Sequence, residues 1–190
     1  EPQSHYYLQS IHAASLRMAA LIEALLRYAR LERETLPKQR VSLRPLLDGL
    51  IDEQSASWAG PLARITIDLT FSDIFAEPHS LRQALANLLD NAVKFVPKEH
   101  VPEVTIGSRT TPAEQTVWIR DNGIGFDPRN SDRIFTLFER LHTDDEYEGT
   151  GVGLAIVKLV MEKHGGRVRA ESSPGKGSTF YLSFPHEPSG

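Results

Sequence analysis

Val104-Thr105-Ile106 and Thr116-Val117-Trp118-Ile119 are two strand-forming runs with no helical periodicity between them. Strands joined this closely pair antiparallel, because a parallel pair needs a long crossover, usually a helix. The end of the chain repeats the arrangement: Val168 to Glu171 and Thr179 to Phe184 read as strands joined by the turn-like Ser173-Pro174-Gly175-Lys176-Gly177. Upstream, Ile65, Ile67 and Leu69 alternate with Thr66, Asp68 and Thr70, the period of a strand with one buried face. Two helical patterns separate these strands. One follows Pro78, with Leu81, Leu85, Leu88, Ala92 and Phe95 recurring by fours and threes, and Pro97 closes it; the other runs from Leu154 to His164 and stops at Gly165-Gly166. The expected fold class is therefore α+β, a mixed sheet covered by helices on one face, and not a doubly wound sheet.

Before this unit, Val41-Ser42-Leu43 reads as a short strand, and Leu46, Leu47, Leu50 and Ile51 as a helix broken by Gly60-Pro61. Further back, Leu8, Ile11, Ser15, Met18, Ile22, Leu25 and Ala29 alternate steps of three and four, a heptad stripe interrupted only by Ser15. Ala14, Leu21 and Leu26 widen that stripe towards the face a bundle helix presents. Pro37 ends the pattern. The organisation expected is a bundle helix over 1–36, a linker over 37–40 and a mixed domain over 41–190.

Composition narrows the function. The chain has 190 residues, 21 Lys plus Arg against 25 Asp plus Glu, and a net charge of −4, with no basic run. That balance disfavours sequence-independent nucleic-acid binding, which rests on clustered Lys and Arg. The chain has no cysteine, which removes disulfides, thiolate catalysis and Cys-ligated metal, and fits a reducing compartment. No apolar run approaches a membrane span, so no membrane contact by this segment is expected.

Three stretches carry candidate chemistry. Asn87, Asn91 and Lys94 lie four and three apart, on one stripe of the helix after Pro78. Two amides and an ammonium projecting together suit a phosphate chain with its divalent cation, since amide oxygens ligate Mg²⁺ and the ammonium neutralises phosphate oxygens; the same residues also fit a solvated helix face. Asp121-Asn122-Gly123-Ile124-Gly125-Phe126 follows a strand. Its Asp is a plausible acceptor for an exocyclic amine, and its glycines let a planar ring approach the backbone, although Asn-Gly alone needs only a turn. Gly149-Thr150-Gly151-Val152-Gly153-Leu154 opens a helix whose N–H groups face anions. Its glycines are two apart, which fits neither the P-loop nor the dinucleotide fingerprint. A flexible loop with a helix cap is its plainer reading.

Taken together these stretches resemble the sensor histidine kinases. Asn87 to Phe95 is similar to their N box, Asp121 to Phe126 to the G1 box, Phe135-Thr136-Leu137-Phe138-Glu139-Arg140 to the F box, Gly149 to Leu154 to the G2 box, and Gly175 to Phe180 to the closing glycine motif. Five motifs stand in the family's order, and the likeness runs from roughly residue 5 to 185. Phe138-Glu139-Arg140-Leu141-His142, before a short acidic lid, looks most like the phytochrome-like branch. The resemblance implies the GHKL, or Bergerat, ATP-binding fold and a cytoplasmic kinase using ATP and Mg²⁺. By position, Asn91 would ligate Mg²⁺ with Asn87 near the ion or its waters, and Lys94 would reach the phosphates. Asp121 would accept from the adenine amino group, with Thr179 assisting, and Gly123 and Gly125 would shape the adenine pocket. Phe135 and Phe138 would anchor the lid, Arg140 would reach the γ-phosphate, and Thr150, Gly151, Val152, Gly153 and Leu154 would line the triphosphate. ATP-hydrolysing relatives carry Glu where this chain has Asn87, and an amide cannot take a proton from water. Hydrolysis should be suppressed in favour of another nucleophile.

In this family that nucleophile is a histidine in a His-Glu or His-Asp motif on the first helix of a dimerisation hairpin. His5-Tyr6 and His12-Ala13 lack the acid, so residues 1–36 resemble the second hairpin helix, and the acceptor is expected on a helix preceding Glu1. His12 fits a bundle surface; His142 reads as lid surface and His164 as a helix end, where a cationic ring would complement the dipole. Glu77 and Val96 stand where relatives often carry Asp and Thr. The expected partners are a response regulator receiver domain and a second copy joined through the N-terminal helix. Two other readings stay open: a nucleotide-independent module for dimerisation or regulator docking, and a GHKL serine kinase or ATPase.

Overall fold

The computed structural model describes residues 2–56, 58, 63–141, 147 and 149–187, with the side chains of 2–6 and 9 left out. Gly60-Pro61, His142 and the acidic lid residues up to 146 lie outside the described residues, as does Glu148.

A long helix α1 (Pro2–Arg33) leads into β1 (Gln39–Ser42) and α2 (Leu43–Ser55). The strand thus begins two residues inside the span read as linker, and Leu43 is the first helical residue rather than the last of the strand. Its N–H donates to Ser72 O at 2.8 Å while its side chain is fully buried, which turns the chain into the helix at that point. β2 (Arg64–Asp68) is followed by β3 (Asp73–Ala76), which pairs antiparallel with β1 from Gln39↔Ala76 to Ser42↔Asp73. β3 has no counterpart in the sequence reading, since four residues carry too little alternation to register.

α3 (Pro78–Lys94) starts as its sequence dictates. The Glu77 carboxylate accepts from the N–H groups of His79 and Ser80 at 2.9 and 2.7 Å, so glutamate caps this helix and Pro78 fills the first turn. Leu81, Leu85, Leu88 and Ala92 are all buried on one face. Each such leucine removes enough apolar surface from water to contribute about 1.5–3 kcal/mol.

β4 (Glu103–Thr110), β5 (Glu114–Asp121), β6 (Arg167–Ser172) and β7 (Ser178–Pro185) join β2 in a five-stranded sheet of order β2-β4-β5-β7-β6. β2 pairs parallel with β4 and all other neighbours are antiparallel. This is the expected mixed sheet. On its inner face Ile106, Ile119 and Leu182 are buried against α3 and α4 (Gly153–Lys163). On its outer face the Trp118 ring lies across Gly107, its cross-strand partner, where a Cβ would come within 2.1 Å of the ring.

Among its described residues, α1 joins the domain core near its C-terminal end. Ala24 and Leu31 are buried and join the core with Tyr28, whereas Leu8, Ile11, Met18, Ile22 and Leu25 of the heptad stripe are exposed. At about 100° per residue the stripe is turned roughly 140° from the docked face. No helix among the described residues is long and apolar enough to cross a membrane.

Candidate functional site

α3, the end of β5, the glycine segment before α4 and the start of β7 enclose a cavity of about 330 Å³. Its polar wall is the helical stripe Asn87, Asn91 and Lys94. The α3 spacing puts all three on one side, and Leu88 and Leu89 pack the other side into the core.

Asn87 donates Nδ2–H to Gly153 O at 3.2 Å. This contact ties α3 to the first residue of α4 and turns the amide oxygen away from that carbonyl. The Lys94 ammonium lies 5.0 Å from the centre of the Phe95 ring, and a Cβ on Gly149 would stand 2.8 Å from it. Glycine at 149 lets the ammonium approach the loop backbone.

At the opposite end sits Asp121, a buried carboxylate whose Oδ1 accepts from Gly123 N at 2.8 Å and Ser178 N at 3.0 Å. Burial raises its pKa from the ordinary 3.8 to about 6 against the lowering effect of those two bonds. Among the described residues both bonds go to Oδ1, and Oδ2 is left able to accept. Gly125 has φ +62°, and a Cβ there would meet Ser173 O at 2.1 Å. The turn between β6 and β7 packs that closely beneath this segment, with Gly175 N donating to Ile124 O at 2.7 Å.

The third wall is the start of α4. Its cap residue is Val152, which offers no side-chain acceptor, so the first N–H groups of the helix have no capping side chain. Preceded by Gly149, Thr150 and Gly151, they form a cradle suited to phosphate oxygens.

The cavity thus gathers Asn87, Asn91, Lys94, Asp121 and Gly125 with Arg140, Thr150, Gly151, Gly153 and Leu154. Four residues expected at the nucleotide do not line it. Gly123 lies behind Asp121, packed against Phe95 O, where a Cβ would come within 2.6 Å. Val152 is fully buried in the core. Thr179 alternates to the outer side of β7, while the backbone N–H of its neighbour Ser178 donates to Asp121 Oδ1. Phe138 is half exposed, whereas Phe135 is buried, edge-on to Phe180 at 6.4 Å; the lid residues 142–146 they were expected to anchor lie outside the described residues.

The sequence reading missed the apolar side of the cavity. Phe95, Ile124, Phe126, Ile134 and Phe180 line it, and Tyr147 leans on Phe95 with ring centres 5.2 Å apart. Phe95 falls in the apolar series of α3, and Ile124, Phe126 and Phe180 fall within the motifs, but neither pattern assigns them to the cavity. Arg140 donates to Tyr147 O at 2.7 Å. Asn122, within the second motif, is a turn holder: it accepts from Glu103 N and donates to Val101 O at 2.9 and 3.0 Å.

His164 caps the C-terminal end of α4, the helix end expected, but its ring is not the cation that would complement the dipole. It is 1% exposed, its Nε2 accepts from Glu77 N at 2.9 Å, and Nδ1–H therefore donates to Val160 O at 2.7 Å. Burial is the largest cause holding its pKa below the ordinary value, so the ring is neutral.

The family model of the histidine kinase-, DNA gyrase B- and HSP90-like ATPases matches residues 76–188. Cyanobacterial phytochrome A of Nostoc sp. (strain PCC 7120) is 40% identical over 168 residues, covering 88% of this chain and 22% of the relative. The methanogenesis regulatory histidine kinase FilI of Methanothrix harundinacea is 32% identical over 178 residues, covering 94% of this chain and 20% of the relative. The chain thus spans about a fifth of the length of these curated relatives. Among solved structures, full-length ShkA in complex with AMPPNP is 26% identical with a TM-score of 0.75, covering 96% of this chain and 39% of that one. The mycobacterial sensor histidine kinase MprB is 25% identical with a TM-score of 0.68, covering 80% of this chain and all of that one.

Proposed function

Since the chain belongs to the histidine kinase-, DNA gyrase B- and HSP90-like ATPase family, as a sensor histidine kinase ATPase domain, we propose that its cavity binds Mg²⁺-ATP and presents the γ-phosphoryl group to a histidine on a separate helix. A response regulator aspartate is the onward acceptor. The observation carrying this reading is the pairing of a buried carboxylate with one unengaged oxygen at one end of the cavity with the Asn91–Lys94 stripe and the uncapped start of α4 at the other.

The donor set fits the nucleotide and its ion. Asp121 Oδ2 accepts the adenine amino group, and Phe95, Ile124 and Phe126 supply apolar walls for the base. Lys94 and the N–H groups opening α4 hold phosphate oxygens. Asn91 offers the amide oxygen that a Mg²⁺ ion prefers, with Asn87 beside it, and the ion would neutralise phosphate charge when bound. Asn87 cannot serve as a general base, so these residues position and neutralise rather than activate water. α1 presents its exposed stripe for a helical bundle, which supports assembly with a second copy.

Calorimetric titration with AMPPNP and Mg²⁺ tests the reading. Saturable binding, weakened by Asn91→Ala and by Asp121→Ala, is the expected result. A folded chain that takes up no nucleotide would overturn it in favour of a docking module.

A further inference from the structure

Ser172, the last residue of β6, is paired across the sheet with Ser178, the first of β7. Their hydroxyl oxygens lie 3.0 Å apart. Ser172 Oγ accepts from Phe126 N–H at 2.8 Å and donates to Gly177 O at 2.9 Å, so it joins the segment after β5 to the turn before β7. Phe126 and Ser178 line the cavity, whereas Ser172 stands behind them and does not.

A serine hydroxyl has one proton and two acceptor lone pairs. Gly177 O can only accept, so the Ser172 proton is committed to it. Turning that proton towards Ser178 instead would set two oxygen lone pairs against each other at 2.9 Å. The bond between the hydroxyls therefore runs from Ser178 to Ser172. With its proton held there, Ser178 Oγ can only accept from anything else. Ser178 and Asp121 are both buried, and Ser178 N–H donates to Asp121 Oδ1 at 3.0 Å. This end of the cavity thus carries two groups that accept and do not donate, the Asp121 carboxylate and the Ser178 hydroxyl.

We propose that Ser172, without touching the ligand, sets which purine the cavity takes by holding the Ser178 hydroxyl as an acceptor, an inference that rests on the nucleotide binding proposed above. A purine with an exocyclic amine brings two N–H groups to that end. A purine with a keto oxygen in its place brings lone pairs, and acceptor then faces acceptor in a site largely shut off from water. Ser172 is a positioning residue. Removing its hydroxyl frees the Ser178 proton to turn towards the keto oxygen, which lifts part of the rejection. The selectivity therefore belongs to the serine pair as well as to Asp121.

Calorimetric titration with ADP and with IDP, each with Mg²⁺, tests this on the parent chain, Ser172→Ala, Ser172→Thr and Ser178→Ala. The parent chain is expected to bind ADP more tightly than IDP. In Ser172→Ala that preference should shrink about tenfold, the scale of one hydrogen bond in a buried site. Ser172→Thr keeps the hydroxyl and should keep the preference. Ser178→Ala removes the acceptor while leaving Ser172 its bonds to Phe126 and Gly177, and should narrow the preference too, which keeps the test decisive if Ser172→Ala does not fold. Equal weakening of both nucleotides in Ser172→Ala, an unchanged preference in Ser178→Ala, or a parent chain that binds ADP and IDP alike overturns the inference and leaves the nucleotide reading standing. A folded parent chain that binds neither overturns the nucleotide reading and this inference with it.

Discussion

Asn87 Nδ2 and Gly153 O, 66 positions apart in sequence, are 3.2 Å apart across the cavity. An amide at 87 can donate to that carbonyl, whereas a carboxylate can only accept. Asn87→Asp therefore sets two acceptors against each other, and the expected loss is about 1–3 kcal/mol of unfolding free energy. Urea denaturation of the two proteins measures it, and an unchanged midpoint would remove the contact from the account of how α3 and α4 are held.

On the proposed function, Asp121 is expected to make nucleotide affinity depend on pH. Its raised pKa of about 6 means that the carboxylate is ionised and accepting above that value and increasingly protonated below it. Affinity for an adenine nucleotide is expected to be full near pH 7.5 and to fall as pH drops through 6, approaching tenfold per unit below it. Calorimetry across this range checks the slope, and Asp121→Asn should give weak binding without it. The same raised pKa acts oppositely on folding: the proton is bound more tightly in the native state, so this group's contribution to stability grows as pH falls from 6 towards 3.8.

His164 pulls the other way. Its lowered pKa favours the neutral ring, so its contribution to stability is intact above the ordinary value of 6.5 and is lost as pH falls through the lower native one. Protonation would replace the Nε2 acceptor facing Glu77 N with a donor and set a cation near Lys38. Thermal unfolding of His164→Gln at pH 7.5 and 5.5 should show a smaller acid-induced drop than the parent chain. Equal drops would assign the acid sensitivity to another group.

Two glycine substitutions separate packing from backbone strain. Gly107→Ala drives a methyl into the Trp118 ring at 2.1 Å and should cost about 1–3 kcal/mol unless the indole moves off the sheet. Gly175→Ala meets nothing within 4 Å but has φ +74°, so only the left-handed penalty of about 1–2 kcal/mol applies. Tryptophan fluorescence should shift in the first variant and stay unchanged in the second.

Much of this architecture can be read along the chain because its signals are local. The fours and threes of α3, the alternation of β2 and the turn from Ser173 to Gly177 depend on near neighbours, and each lies where expected. The polar half of the cavity was legible for the same reason, since Asn87, Asn91 and Lys94 share one helix. What escaped depended on distant contacts. β3 exists because β1 pairs with it, and His164 is neutral because Glu77 N–H reaches it across the fold. Thr179 and Ser178 differ by a single step of strand alternation, which only the pairing of β7 resolves.

α4 has eleven residues, which makes it a strut about 16 Å long. Gly153 at its near end grips Asn87. At its far end Lys163 Nζ donates to Glu34 O at 2.6 Å, and His164 O accepts from Lys38 Nζ at 2.9 Å, which clamps both sides of the crossing from α1 to β1. These contacts tie both ends of one short helix to distant parts of the chain. On the nucleotide reading proposed above, a ligand that displaces the near end of α4 is expected to load the root of α1, so that occupancy of the cavity and twist of α1 become conjugate variables of one lever.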